Sequence, residues 1–218
     1  MMAGMSTSDS SSPRRREQQR AVDTKQAILR TALKEFAERG FEAASMRAIA
    51  EQSGLTHQLI CYHFQSKEVL WQAVATLVYE ELARGREALL AQSRPERAID
   101  QLRQEFVAYF RFSIEQPHLH RFLLQRREGG QCEDRQDWLA QEFLRPHFER
   151  VKPLIKAAQK SGDLPKGDPA LLFYAVISLA NTLAMMGADI AATTERAATD
   201  PKTVREFLKL MDALVFKR

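Results

Sequence analysis

The sequence predicts an all-α protein, in which an N-terminal three-helix module precedes a larger helical domain, with about nine helices in all. Nearly every periodic segment repeats its apolar residues at the three-to-four spacing of a helix. No segment alternates apolar and polar residues as a half-buried strand does. Gly, Pro, Ser and Thr recur at intervals that suit helix ends. With 218 residues, 44% of them hydrophobic, the chain is long enough to bury a core.

The first predicted helix runs from residue 24 to residue 39. Gly40 then ends it, because glycine readily adopts the backbone conformation found just beyond a helix. One face of this helix carries apolar residues near i, i+4 and i+8, namely Ile28, Leu29, Ala32, Leu33 and Phe36. We expect this face to lie in the core of the N-terminal module.

A helix-turn-helix is predicted over residues 45–64. Ser45 is a good N-cap for a short helix that ends at Ser53 and Gly54. Thr56 caps the helix that follows, which runs through Tyr62. A small Ala50 permits close approach of the two helices, and Gly54 supplies the backbone freedom of a sharp turn.

The second helix of such a pair can enter a DNA major groove with its N-terminal residues facing base edges. The amide of Gln58 can then bond an adenine edge, while His57 reaches a base or a phosphate. Tyr62, His63 and Lys67 follow at spacings that suit the DNA backbone. Short helix pairs also occur in bundles that never bind nucleic acid, so these residues alone leave both interpretations open.

Helical segments continue to the end of the chain. Ser66 caps a long helix that starts at Lys67, and Pro146 and Pro153 are expected to kink or split another segment. The predicted segments are 67–92, 96–115, 118–127, 133–160, 169–190 and 201–216. The predicted domains are a disordered basic tail at 1–20, the helix-turn-helix domain at 21–72, and a ligand-binding and dimerisation domain at 73–218.

The formal net charge is +4, and the excess of positive charge is concentrated near the N-terminus. Against Glu17 and Asp23 stand five basic residues, Arg14, Arg15, Arg16, Arg20 and Lys25. Such a segment favours an anionic partner, although it is also typical of a solvated tail. Residues 1–13 lack an apolar stretch of signal-peptide length, and Cys61 and Cys132 show no paired spacing. We therefore expect a cytoplasmic protein.

Catalytic, cofactor and metal sites are not expected. The sequence has no glycine-rich phosphate loop, no nucleophile elbow and no HExxH. Carboxylates such as Glu105 are interpreted as part of a solvated helical surface, and His118 and His120 as ordinary polar residues at a helix start. His57 and Cys61 stand at i and i+4, but a structural zinc site needs four ligands.

Aromatic residues cluster between residues 106 and 148. Most of them are expected in an ordinary helical core, but a pocket between helices is also where a bundle binds small molecules. Candidates for such a pocket are Phe106, Tyr109, Phe110, Phe122, Trp138 and Phe143.

The segment 170–188 contains no charged residue, so both a membrane span and a buried interface helix must be considered. Its acidic flanks, its small residues and the pair Asp168-Pro169 favour an interface between two copies of the chain. The helix at 201–216 would be its partner. Candidate interface residues are Phe173, Ile177, Ala180, Ala184, Val204, Phe207, Leu208 and Met211.

Residues 24–74 resemble the TetR family of bacterial repressors. The likeness rests on the block Phe36-Ala37-Glu38-Arg39-Gly40-Phe41, on Ser45-Met46-Arg47-Ala48-Ile49-Ala50, on Gly54-Leu55-Thr56, and on Tyr62-His63-Phe64-Gln65-Ser66-Lys67-Glu68-Val69-Leu70. The resemblance implies a regulator that binds double-stranded DNA at a palindromic operator as a homodimer and responds to a small-molecule effector. It also implies DNA contacts by Ser45, Arg47, Thr56, His57, Gln58, Tyr62, His63 and Lys67.

Two positions depart from the family pattern. Leu59 stands where a threonine is common, and Cys61 stands where an aromatic residue is usual. Leu59 can contact a thymine methyl group or simply pack. The alternative function is a helical small-molecule-binding protein that does not bind DNA.

Overall fold

The computed structural model describes residues 13–93, 95–124 and 133–216. These residues form helices and connecting turns, with no strand among them, so the predicted all-α class is confirmed. The α-helices are α1 (Pro13–Ala43), α2 (Met46–Ser53), α3 (His57–His63), α4 (Lys67–Gln92), α5 (Ala98–Glu115), α6 (Pro117–Leu124), α7 (Glu133–Leu139), α8 (Arg145–Lys160), α9 (Pro169–Ala180), α10 (Thr182–Met185), α11 (Gly187–Thr194) and α12 (Pro201–Met211).

The described residues form more α-helices than the nine predicted, because two of the longer predicted segments are interrupted. A π-helical turn, Ala140–Leu144, joins α7 to α8, and a second one, Asp212–Phe216, follows α12. The chain divides into two compact units, Met1–Val74 and Ala75–Arg218, and the boundary between them falls within α4.

The first helix begins earlier than the sequence predicted. Residues 13–20 were assigned to a disordered tail, but α1 already includes them. Their Arg, Glu and Gln side chains are good helix formers, and Gln19 donates to Asp23 one turn later, at 2.8 Å. The main chain leaves helical geometry at Gly40 (φ 74°), where the end of the helix was expected, and then adds one more turn. Residues 1–12 lie outside the described residues.

The core of the first unit lies between α1 and the three helices that follow. The predicted apolar face of α1 is buried, apart from a half-buried Leu33. Helix α1 packs on α2, and α2 packs on α3. Fully buried side chains from all four helices meet here, namely Ile28, Phe36, Ile49, Ile60, Phe64, Leu70 and Val74.

Helix α5 is the centre of the second unit. It packs against α6, α8, α9 and the π-helical turn that follows α12. Its strongly amphipathic sequence explains this position, because Phe106 and Phe110 join the core on the face that α8 and α9 cover. The described part of the predicted helix at 118–127 is α6, and residues 125–127 lie outside the described residues.

Three predicted interface residues lie inside this core. Phe173, Ala180 and Met211 are 5%, 0% and 1% exposed, so they face their own unit. The prediction was wrong for these three because α9 is apolar on nearly every side, and periodicity then cannot separate the inner face from the outer one. Ala184 is exposed, and the other four candidates, Ile177, Val204, Phe207 and Leu208, are half-buried.

The uncharged segment 170–188 is not one continuous helix. Helix α9 ends at Ala180, and the buried Asn181 that follows lies 2.6 Å from the His120 ring. A short α10 and then α11 complete the segment. Among the described residues, no helix combines the length and the apolar character that crossing a membrane requires.

Candidate nucleic-acid interface and ligand cavities

Side-chain caps fix where the two helices of the helix-turn-helix begin. The Ser45 hydroxyl accepts from the Ala48 amide at 3.0 Å, and the Thr56 hydroxyl accepts from the Leu59 amide at 3.2 Å. Each cap satisfies an amide that would otherwise lack a partner in the first turn. Both hydroxyls keep their own O–H donor, so each can still donate to a phosphate oxygen.

The turn between α2 and α3 depends on Gly54. This residue has φ 67° and ψ 21°, in the left-handed region where a side chain costs about 1–2 kcal/mol. Its amide donates to the Glu51 carbonyl at 3.3 Å, and the next amide, from Leu55, donates to the Ala50 carbonyl at 3.0 Å. These bonds close the end of α2 and direct the chain into α3.

One face of α3 anchors the helix, and the opposite face is open to solvent. Ile60 and, just after the helix, Phe64 are buried in the core of the first unit. His57 and Gln58 are exposed in the first turn, and Tyr62 is 79% exposed one turn later. A side chain at each of these positions can therefore reach a ligand that lies along the outer face of α3.

The structure leaves most of the predicted DNA-contacting side chains accessible. Ser45 and Arg47 are exposed at the start of α2, and Thr56 is exposed before α3. His63 is half-buried, with its ring centroid 6.4 Å from that of Phe64. The helix-turn-helix thus presents two hydroxyls, a guanidinium, an imidazole, an amide and a phenol at its surface.

The two departures from the family pattern lie on the flanks of α3. Leu59 and Cys61 are both half-buried. The Cys61 sulfur lies 3.7 Å from both ring nitrogens of His57, one helical turn away. Within the described residues no group of three or more His, Cys, Asp or Glu side chains is placed to hold a metal ion.

The Lys67 ammonium binds carbonyl groups of the same chain, whereas the resemblance implied a contact with the DNA backbone. Its ammonium donates to the carbonyl oxygens of Phe41, Glu42 and Ala44, at 2.8, 3.2 and 3.1 Å. It also lies 4.4 Å from the centroid of the Phe41 ring. An ammonium has three N–H donors, so these three carbonyls use all of them. Lys67 therefore ties the start of α4 to the end of α1.

A buried carboxylate forms a second contact between helices, which was not predicted from the sequence. Glu35 is only 1% exposed, and it accepts from the Gln52 amide nitrogen at 2.8 Å. Its other oxygen lies 3.5 Å from Arg39 Nε. These contacts join α1 to the end of α2. The signal in the sequence was a charged residue beside Phe36 on the apolar face of α1, since a buried charge needs partners.

Two neighbouring cavities occupy the second unit. One, of about 180 Å³, is almost entirely apolar and lies between α5, α8, α9 and the C-terminal π-helical turn. The other, of about 310 Å³, is more polar and lies between α4, α5, the first π-helical turn and α8. Glu105, Tyr109 and His147 line both cavities.

Three of the six predicted ligand-binding residues line these cavities. Phe106 and Tyr109 border the apolar cavity, and Tyr109 and Phe143 border the polar one. Phe110 and Phe122 are buried core residues instead, which is the ordinary outcome for an aromatic residue in a helical bundle. Trp138 packs edge-on against Phe143, with ring centroids 5.4 Å apart.

A cluster of charges beside the polar cavity was not anticipated. The Glu105 side chain, interpreted from sequence as part of a solvated surface, is only 11% exposed and pairs with two guanidiniums. Arg86 of α4 lies 3.4 Å away, and Arg150 of α8 makes two contacts of 3.4 and 3.3 Å. Burial and then the charges of Arg150 and Arg86 lower the pKa of His147 to about 4. His147 is therefore neutral at pH 7.

A hydrogen-bonded group of polar side chains lies deeper in the same unit. His120, expected as an ordinary polar residue, is 2% exposed and pairs with Asn181. Burial lowers the pKa of His120 despite that hydrogen bond. Burial also raises the pKa of Tyr109, whose hydrogen bond to Asn181 acts in the opposite direction. These groups are therefore uncharged at neutral pH and can line a site without a net charge.

Comparison with known proteins agrees with the fold and with the helix-turn-helix. The family described as "Bacterial regulatory proteins, tetR family" matches residues 28–74. The HTH-type transcriptional regulator UidR of Escherichia coli (strain K12) is 40% identical over 73 residues, which are 33% of this chain and 37% of UidR. The matched region thus spans little more than a third of that curated relative.

Solved structures resemble a much larger part of the chain. A TetR family transcription regulator from Marinobacter aquaeolei VT8 has a TM-score of 0.68 at 20% identity, covering 92% of this chain and 100% of that one. The TetR family transcriptional regulator PfmR from Thermus thermophilus has a TM-score of 0.61 at 26% identity, covering 84% and 92%.

The described residues thus form a unit with a helix-turn-helix and a larger helical unit with internal cavities. The match over residues 28–74 covers the helix-turn-helix, which thus carries the sequence features of the tetR family, as the resemblance implied. The likeness to the solved structures extends the shared fold over most of the chain.

Proposed function

We propose that this protein is a sequence-specific DNA-binding transcriptional regulator. It acts as a repressor that binds a palindromic operator as a homodimer and is released by a small effector. The observation that supports this most directly is the outer face of α3, where His57, Gln58 and Tyr62 are exposed on a helix fixed from behind by Ile60 and Phe64. A helix held in this way suits the major groove.

The exposed groups divide into two kinds of contact. Gln58 has the donor and acceptor that an adenine edge requires, and His57 precedes it in the same turn. Ser45, Arg47 and Tyr62 present donors that suit phosphate oxygens, as does Thr56. Base contacts at Gln58 and His57 then specify the sequence, while the others position the protein along the duplex.

Lys67 and Glu35 act in this account as positioning residues. Lys67 fixes the end of α1 against the start of α4, and Glu35 fixes α1 against α2 through Gln52. Since α3 follows α2 through the Gly54 turn, both ties determine where the outer face of α3 lies. Neither residue needs to contact DNA to influence binding.

The dimer forms through α9 and the C-terminal helix, on the face opposite to the core residues. Six of the nine large hydrophobic side chains that are exposed in the described residues fall in this region, and such a concentration is typical of an interface. They are Leu171, Tyr174, Met185, Met186, Leu210 and Leu214. A symmetric dimer presents two copies of α3 to successive major grooves, about 34–36 Å apart.

The effector binds in the second unit and acts through α4. This helix runs from Lys67, beside the helix-turn-helix, to residues that line the polar cavity, among them Arg86. A ligand that favours one position of α4 changes the spacing between the two copies of α3. DNA and ligand then weaken each other's binding by the same factor.

Selection of bound DNA from a random library by the purified full-length chain tests this function. We expect enrichment of a palindrome with half-sites about 10 base pairs apart, centre to centre. The Gln58→Ala variant serves as the matched control, since it should lose preference at one base pair of each half-site. Failure of the wild type to enrich any sequence would favour a helical small-molecule-binding protein without DNA binding.

A further inference from the structure

Three charged side chains from three helices meet beside the polar cavity. Arg86 of α4 and Arg150 of α8 both contact the same carboxylate, that of Glu105 on α5. Two guanidiniums share one partially buried carboxylate, so the cluster carries one positive charge in excess. Glu87 lies 3.7 Å from Arg86, and Glu142 lines the same cavity. Both carboxylates are exposed, as Arg150 is, so water screens their charges and part of the charge of Arg150.

The contacts within the cluster are long. The N–O distances from Arg86 and Arg150 to Glu105 are 3.3–3.4 Å, whereas a charge-assisted bond is usually about 2.7–2.9 Å. Each guanidinium has five N–H donors in a planar fork that matches a carboxylate. The two arginines therefore have donors and a geometry that a second carboxylate can use.

His147 lies beside the same charged side chains and is neutral at pH 7. His147 lines both cavities, and its Nε2 lies 4.0 Å from a Glu105 oxygen. Burial first, and then the charges of Arg150 and Arg86, lower the pKa of this imidazole to about 4. A positive charge is therefore disfavoured at this point, and His147 adds none to the cluster.

The cavity that adjoins the polar one is apolar. The apolar cavity of about 180 Å³ is lined mainly by aliphatic and aromatic side chains, for example Leu102, Phe106, Val151, Ile155 and Val176. Glu105, Tyr109 and His147 line both cavities, so the two spaces adjoin at these side chains. A molecule that occupies both spaces must therefore combine an apolar body with an anionic end.

We propose that the effector is an apolar-tailed carboxylic acid, bound with its tail in the apolar cavity and its carboxylate on Arg86 and Arg150. The identity of the ligand as an effector rests on the function proposed above, but its chemical class rests on the cavities and the charge cluster. The bound carboxylate competes with Glu105 for the two guanidiniums. Because Arg86 belongs to α4, this competition changes the contacts that hold α4 to α5.

Titration calorimetry on the full-length wild-type protein, with matched head groups on one tail, tests the proposed chemistry. The probes are decanoate, decan-1-ol and decyltrimethylammonium. We expect decanoate to bind at least tenfold more tightly than the alcohol, and the cation to bind no better than the alcohol. Across hexanoate, octanoate and decanoate, affinity should rise by roughly fourfold per methylene until the cavity is filled.

Variants locate the binding site. Arg150→Gln should reduce the affinity for decanoate to that for the alcohol, and Arg150→Lys should restore part of the difference. Arg145→Gln is the control, since Arg145 is exposed on the same helix and bonds Gln141. If Arg150→Gln does not fold, the comparison of head groups in the wild type still decides the question.

Two results would overturn the proposal: equal affinities for decanoate and decan-1-ol, or no binding of any probe by a protein that still binds its selected DNA. The second result would leave the proposed DNA-binding function intact. If decanoate binds with the expected preference but does not release DNA, the ligand class stands and the effector role fails. Release of DNA by decanoate, and not by the alcohol at the same concentration, would support both.

Discussion

The two units differ in what their buried and half-buried polar side chains contact. In the first unit, Glu35 and Lys67 form hydrogen bonds that join helices to one another. In the second unit, Glu105 also joins helices through Arg86 and Arg150, but it lines cavities together with His147 and Tyr109. The polar contacts of the first unit therefore hold one arrangement of its helices, whereas those of the second unit border internal space, which is what the proposed DNA-binding and ligand-binding roles require.

The similarity to other proteins also differs between the two units. The relative from Escherichia coli is 40% identical over 73 residues, whereas the structure from Marinobacter aquaeolei covers 92% of the chain at 20% identity. The family match lies within residues 28–74, whereas the likeness over most of the chain is a likeness of fold.

The largest predicted effect concerns the dimer. Charged residues on the exposed face of α9, in the double variant Leu171→Asp and Tyr174→Asp, should separate the subunits and lower operator affinity by about 1,000-fold. A single subunit loses one half-site, in which each base pair contributes about 1–3 kcal/mol. Sedimentation and operator titration of the same samples measure both effects.

Ala157→Asp is the matched control for the dimer, because Ala157 is exposed on α8 and the added charge per site is the same. It should remain dimeric. A double variant that stays dimeric, or a monomer with unchanged operator affinity, would contradict the proposed interface.

The second unit should lose stability in acid through His147. Its pKa is about 4 in the folded protein and about 6.5 in the unfolded chain, so the unfolded state binds more protons between these values. Stability is therefore fully present above pH 6.5 and falls by up to about 3 kcal/mol as the pH drops toward 4. Denaturant unfolding at several pH values measures this change, and His147→Gln should flatten the wild-type slope over the same range. A variant with the wild-type slope would refute the assignment.

Gln58 should affect recognition without affecting stability. Gln58→Ala is expected to cost about 1–3 kcal/mol on the selected operator and to leave binding to random DNA unchanged, because the amide reads a base edge. Titrations on both DNAs provide the measurement. Equal losses on the two would show that Gln58 contributes only to non-specific contact.

Lys67 should behave in the opposite way. Lys67→Met removes the ammonium that joins α1 to α4 and should lower the unfolding free energy of the first unit by about 1.5 kcal/mol. Operator and random DNA should be bound more weakly by the same factor, with no change in the dependence of log K on log salt. A phosphate contact would instead lower that slope by about 1. A stable variant with the lower slope would show that Lys67 contacts a DNA phosphate.

Much of the first unit could be predicted because its signals are local. Ser45, Gly54 and Thr56 each act within four residues of their own position, and the structure places their caps and turn where the sequence indicated. The tie made by Lys67 could not be predicted, because its partners lie 23–26 residues away and no spacing rule connects them.

The second unit was predicted less well for two physical reasons. Glu105 and Arg150 are 45 residues apart and meet only when α5 packs on α8, so the pair leaves no trace in the sequence. Helix α9 is apolar on most of its surface, so Phe173 in the core and Leu171 outside it look alike from sequence. In both cases only the tertiary packing decides which side chain is available.

The ratio of affinities for one DNA sequence and for an unrelated duplex decides whether α3 reads DNA. The wild-type chain should be titrated with its selected palindrome and with a scrambled duplex of equal length, at several salt concentrations. We predict binding to the palindrome at least about 1,000-fold tighter, with log K for both duplexes falling linearly as log salt rises. Equal affinity for the two duplexes, or binding that does not respond to salt, would contradict the assignment of α3 as the reader of DNA.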